Sequence, residues 1–113
     1  MKLLKAYIRK RKTEDVYKAL EKKGYTSMTM VECEGTGKYR DREEEHISDK
    51  YTFVDAYMVV KLELLIPDSD LKDAIATIRE HGRTGYSGDG MIIVTPVDEV
   101  HKIRTDQEGI DSI

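Results

Sequence analysis

Three segments of the chain alternate between apolar and polar residues, as the strands of a half-buried sheet do. They are residues 2–9, 27–34 and 57–66, and a short apolar run at 91–94 adds a fourth strand candidate. The stretches that follow the first and third segments instead carry apolar residues every three or four positions, which is typical of amphipathic helices. The resulting order, with a βαβ unit occurring twice, predicts an α+β, ferredoxin-like (βαβ)2 sandwich.

Start and stop signals bound the two predicted helices. Thr13 precedes two acidic residues and is the predicted N-cap of the first helix, while Gly24 lies just past its end. The segment 67–69, Pro-Asp-Ser, should end the third strand and cap the second helix. That helix is predicted to run to about His81 and to end at Gly82.

Two helices can cover only one face of a four-stranded sheet. The other face is predicted to carry Thr29, Val31, Val59 and Glu63, a mixture of apolar and polar side chains. Such a face needs another partner, and identical subunits commonly solve this by closing into a ring. The periodicity alone does not fix the number of subunits.

The connection between the second and third strands, at about 38–54, is long, charged and without periodicity. Such a segment buries too little apolar surface to offset its ordering entropy, so we expect it to be mobile without a partner. Residues 43–46, Glu-Glu-Glu-His, together with Asp49 could ligate a divalent metal. A solvated acidic loop is the favoured interpretation, because no paired His or Cys spacing supports a metal site.

Length and composition narrow the functional class. The 113 residues form one predicted domain, 1–113, with a net charge of −3, which argues against an RNA-binding ferredoxin-like module. No apolar stretch approaches the roughly 20 residues that span a bilayer, so we expect a cytoplasmic protein. Asp89 and Glu63 are lone acids, and His81 and His101 have no evident Ser or Cys partner. These residues favour a regulator over an enzyme.

Candidate binding chemistry is concentrated in residues 83–90, which contain Gly85, Gly88 and Gly90. Glycine permits positive φ and close backbone approach, and a row of backbone N–H groups can hold an anion. Lys102 and Arg104 alternate on a predicted extended C-terminal segment, about 98–113, and offer two cations. By spacing alone, an ordinary turn explains the glycines equally well, and solvated surface cations are the favoured interpretation of the basic pair.

A wider set of motifs accompanies these residues. They are Thr84-Gly85-x-x-Gly88-Asp89-Gly90, Val97, Ile103-Arg104-Thr105, Glu108-Gly109, the terminal Ile113 and, earlier, Gly35-x-Gly37-Lys38. Together they closely resemble the signature of the PII signal-transduction family, over essentially the whole chain except about 39–53. The resemblance implies a homotrimeric, nucleotide-sensing regulator that binds ADP, ATP or AMP in clefts between subunits. Its long loop would control a membrane transporter or a metabolic enzyme. A trimeric metal-binding protein of the CutA-like type is the alternative.

The resemblance also implies which residues form each site. The nucleotide site would comprise Tyr7, Thr29, Gly35, Gly37, Lys38, Glu63, Leu65, Thr84, Gly88, Asp89, Gly90, Met91, Lys102 and Arg104. The partner-binding residues of the loop would be Tyr39, Arg40, Arg42, Glu44, His46, Lys50 and Tyr51. It implies no catalytic residue and no protein metal ligand, and it leaves the need for magnesium open.

Three positions depart from the family pattern. Met91 stands where a lysine usually contacts the polyphosphate, so a preference for the triphosphate is in doubt. Losing one charge-assisted contact costs roughly 1.5–3 kcal/mol, which nucleotide binding should survive. Tyr39 and Val59 replace a glutamine and a lysine associated with 2-oxoglutarate, so we expect that this protein does not sense 2-oxoglutarate.

Overall fold

The computed structural model describes residues 1–35, 58–86 and 88–113, without the side chain of Asp111. The helices and strands in this part of the chain are β1 (Lys2–Arg9), α1 (Thr13–Lys22), β2 (Met28–Glu34), β3 (Met58–Ile66), α2 (Leu71–Gly82) and β4 (Met91–Pro96). The strands form one antiparallel sheet in the order β2-β3-β1-β4. This is the predicted ferredoxin-like fold, which is therefore confirmed. The predicted mobile loop and Tyr57, the first residue of the predicted third strand, lie outside the described residues.

The core lies between the two helices and one face of the sheet. Its buried side chains are Leu4, Ala6, Ile8, Val16, Leu20, Val60, Leu62, Leu64, Ile66, Ala74 and Ile78. The strand residues among them occupy alternate positions of β1 and β3, because successive side chains of a strand point to opposite faces. Every second residue of the two central strands therefore packs in the core below the helices.

Two predicted helix boundaries are wrong, and short 3-10 turns explain both. Thr13 is the first residue of α1 and not its N-cap, because the turn Lys10–Lys12 leads directly into the helix. The turn Asp68–Asp70 likewise precedes α2, and neither helix start has a side-chain cap. Gly82 belongs to α2: a Cβ there would lie 3.1 Å from Cγ2 of Ile8, so glycine lets the helix end pack closely on β1.

The sheet face opposite the helices is uncovered in the described chain. Cross-strand pairing places Thr29, Glu63, Lys5 and Ile93 in one row and Val31, Lys61, Tyr7 and Met91 in the next. Lys61 and Glu63 form an ion pair at 3.5 Å, beside the exposed apolar side chains of Val31 and Met91. The face is thus mixed, as the alternation predicts. No described helix is long and apolar enough to cross a membrane.

Candidate functional site

The connection between α2 and β4, residues 83–90, is called the glycine turn here; its Ser87 is not among the described residues. Gly85, Gly88 and Gly90 have φ values of +92°, +95° and +98°. Residues with a Cβ adopt this left-handed region only at a cost of roughly 1–2 kcal/mol each. The turn therefore has a backbone path that depends on its glycines.

Gly90 also brings the glycine turn into direct contact with β1. A Cβ built on Gly90 would lie 1.7 Å from the carbonyl oxygen of Tyr7, far inside van der Waals contact. The neighbouring backbone cannot yield easily, because Tyr7 is in the ladder between β3 and β4. Gly90 is therefore required both for its φ and for the space that it leaves.

The carboxylate of Asp89 holds the glycine turn closed from within. It accepts hydrogen bonds from the backbone N–H groups of Thr84 at 2.8 Å and Gly85 at 3.0 Å, and from the Thr84 hydroxyl. Arg9 Nε, at the end of β1, donates to it at 2.9 Å. Burial acts to raise the pKa of Asp89, but these hydrogen bonds outweigh it and hold the pKa well below its usual range. Asp89 is therefore an anion whose charge Arg9 balances.

Arg9, which pairs with Asp89 in the glycine turn, was not predicted from the sequence. It precedes three further basic residues, Lys10 to Lys12, and nothing in the local pattern distinguishes it from them. Its partner lies 80 positions away in the chain, so only the fold brings the two charges together. The predicted contact of Asp89 with a nucleotide stays a prediction, and its observed contacts order the turn.

A cleft of about 420 Å³ lies beside the glycine turn, between the C-terminal half of α2 and the adjoining parts of β1 and β4. Four predicted site residues line it, namely Tyr7, Asp89, Gly90 and Met91. Its other lining residues are Ala6, Ile8, Ile78, Arg79, Gly82, Arg83 and Ile92. The cleft thus combines an apolar floor with two arginines that were not predicted as site residues.

Other predicted site residues lie elsewhere. Thr29 and Glu63 are cross-strand neighbours on the uncovered face, while Leu65 pairs with Leu3. Gly35 follows β2 and lies against Val59: a Cβ there would be 3.6 Å from its side chain. Predicted residues that lie outside the described part of the chain are Gly37, Lys38, Tyr39, Arg40, Arg42, Glu44, His46, Lys50 and Tyr51.

Lys102 and Arg104 are carried by a C-terminal hairpin and do not line the cleft of their own chain. Gly109 N–H donates to the Val100 carbonyl at 2.8 Å, and Lys102 N–H donates to the Gln107 carbonyl at 2.9 Å. Both basic side chains are exposed near the tip, on either side of the fully exposed Ile103. The hairpin therefore exposes two cations that do not contact the cleft of the same chain.

His101, which had no evident partner in the sequence, lies between two carboxylates at the base of this hairpin. Its ring nitrogens are 3.2 Å from Glu99 Oε1 and 3.1 Å from Glu108 Oε2. No group of three or more His, Cys, Asp or Glu side chains suited to a metal ion occurs within the described ranges. The acidic stretch around Glu44 and His46 lies outside them.

Comparison with known proteins identifies the family. The family model described as "Nitrogen regulatory protein P-II" matches residues 1–107. The chain belongs to the PII family. It is 38% identical over 113 residues to the nitrogen regulatory protein P-II of Azospirillum brasilense, with all of both chains covered. It is 39% identical over 113 residues to nitrogen regulatory protein P-II 1 of Methanothermobacter thermautotrophicus, covering all of this chain and 97% of that one.

Membership of the PII family confirms the resemblance seen in the sequence. The relatives are named as regulatory proteins, so this PII protein is a signal-transduction regulator and not an enzyme. The match also favours this interpretation over the CutA-like alternative.

Proposed function

We propose that this PII protein senses adenine nucleotides, which it binds at the glycine turn in a cleft between subunits. The observation that carries the proposal is the turn itself. The Asp89 carboxylate accepts hydrogen bonds from the N–H groups of Thr84 and Gly85. The N–H groups of Gly88 and Asp89, in contrast, have no acceptor among the described residues. Oriented N–H groups of this kind form a cradle for a phosphate.

The remaining parts of the site come from the neighbouring subunit of a homotrimer. The uncovered sheet face, with exposed Val31, Met91 and Ile93, supplies a mixed surface for association. Lys102 and Arg104 then reach the phosphates from the adjacent hairpin, which accounts for their exposure in the single chain. Further contacts with the nucleotide are assigned to Tyr7, Thr29, Gly35, Gly37, Lys38, Glu63, Leu65 and Thr84.

The output of the site passes through the long loop to a partner protein. We assign the partner to the membrane transporters or metabolic enzymes, as the PII resemblance implies, and we place the protein in the cytoplasm, where adenine nucleotides are abundant. Magnesium would be held by the nucleotide phosphates. Titrations of nucleotide with and without magnesium show whether the metal is needed for binding.

Calorimetric titration with ADP, ATP and AMP tests the proposal. We expect at least one of them to bind, and we expect Arg104→Ala to weaken that binding about tenfold or more, because a charge-assisted contact is lost. Lys22→Ala, at the exposed end of α1, removes the same charge and should leave the affinity unchanged.

Two outcomes would contradict different parts of the proposal. An Arg104→Ala affinity equal to that of the unsubstituted protein would show that the hairpin is wrongly assigned. Failure of all three nucleotides to bind, together with tight binding of a divalent metal alone, would favour the CutA-like alternative.

A further inference from the structure

The wall of the cleft formed by α2 carries two arginines. Arg79 lies in the last turn of α2, and Arg83 follows the helix, with its N–H donating to the Arg79 carbonyl at 3.2 Å. Both side chains are exposed, and neither has a carboxylate partner among the described residues. A cation in the last helical turn complements the helix dipole, which accounts in part for Arg79. Arg83 lies beyond that turn and lacks this explanation.

The charge of these arginines is not balanced within the cleft. Among the described residues, Asp89 is the one acid that lines the cleft, and its carboxylate is already paired with Arg9 at 2.9 Å. The other described lining residues are uncharged, and they include Met91, which is 62% exposed. The described lining of the cleft therefore has net positive charge. It lies next to the N–H groups of Gly88 and Asp89, for which no described residue is an acceptor. An anion with several oxygens suits both features.

We propose that Arg79 and Arg83 bind the phosphate end of the nucleotide and thereby determine its affinity. This inference rests on the proposed function, because it assigns the phosphate contacts of that same site. The arginine guanidinium forms two parallel hydrogen bonds to a phosphate. Arg79 and Arg83 thus provide positive charge on the α2 wall of the cleft, whereas Met91 on the β4 wall provides none.

The test is the double variant Arg79→Gln/Arg83→Gln, titrated with ADP and ATP. For each of the two arginines removed, we expect the affinity for each nucleotide to fall about tenfold or more, so the two losses multiply in the double variant. Lys72→Gln removes one charge near the other end of α2 and serves as the control, which should bind like the unsubstituted protein. Thermal unfolding of each variant verifies that the exposed substitutions leave the fold intact.

A compensating variant addresses the cleft directly. Introducing Met91→Lys into the double variant should restore at least tenfold of the lost affinity, because it returns a cation to the same cleft. Unchanged nucleotide affinity in the double variant, with Arg104→Ala still weakened, would overturn this inference and leave the proposed function standing. An equal loss of nucleotide affinity in Lys72→Gln would also overturn it, because the effect would then depend on the overall charge of the protein and not on the cleft. If the unsubstituted protein binds no adenine nucleotide, the proposed function itself fails.

Discussion

Replacing Gly90 by alanine is expected to destabilise the protein by about 3 kcal/mol or more, the largest effect of any single methyl group at the site. Two costs combine at this position. The φ of +98° is strained for alanine, and the new Cβ would lie 1.7 Å from the Tyr7 carbonyl oxygen. The backbone must move, which would separate the glycine turn from β1 and abolish the nucleotide binding that we propose.

Gly85→Ala is the matched control for this variant. Its φ of +92° is nearly the same, but a Cβ there would have no atom of the described residues within 4 Å, so only the conformational strain of roughly 1–2 kcal/mol is expected. Urea unfolding of both variants at one protein concentration measures the difference. Equal destabilisation of the two would contradict the close contact between Gly90 and Tyr7.

Replacing Asp89 by asparagine is expected to cost about 2–3 kcal/mol and to loosen the glycine turn. One carboxylate accepts bonds from Arg9, Thr84 and Gly85, and a neutral amide cannot satisfy all of these donors. Partly buried donors that lose their acceptor each cost roughly 1–3 kcal/mol. Asp68→Asn, which affects an exposed ion pair with the N-terminus, should change the stability far less.

The pH dependence of stability gives a second measure of the Asp89 contacts. The folded state lowers the pKa of Asp89, so its contribution is fully present above the unfolded value of about 4 and is lost as the pH falls towards the folded value. Below about pH 4 the unsubstituted protein should therefore lose stability more steeply than Asp89→Asn. Parallel acid profiles for the two proteins would contradict the assignment.

The sequence was sufficient for β1, β2, β3 and both helices, because each of them has a strong period, whereas β4 was predicted from a short apolar run. The β1 and β3 segments alternate so regularly that the alternation predicts which of their residues are buried. Leu4, Ala6 and Ile8 of β1 are examples. Helix starts were less predictable. The two 3-10 turns replaced side-chain caps, and Thr13 has no local feature that distinguishes a cap from a first helical residue.

The candidate site could be predicted only in part, because it depends on contacts between distant segments. Gly88 and Gly90 carry a signal in the sequence, since few other residues tolerate their φ. Arg9 and Arg83 carry none, because surface arginines are common and their relation to the glycine turn exists only in the fold. The place proposed for Lys102 and Arg104 lies in the site of a neighbouring subunit, which the fold of one chain does not specify.

Amide resonances of the glycine turn provide the most direct test of nucleotide binding there. During titration with ADP or ATP, we expect the largest shifts at Gly88, Asp89 and Gly90, with further shifts at Lys102 and Arg104. Lys72, near the other end of α2, should remain unaffected. Saturating nucleotide that leaves the Gly88 to Gly90 amides unchanged, or that shifts only resonances remote from them, would contradict the account.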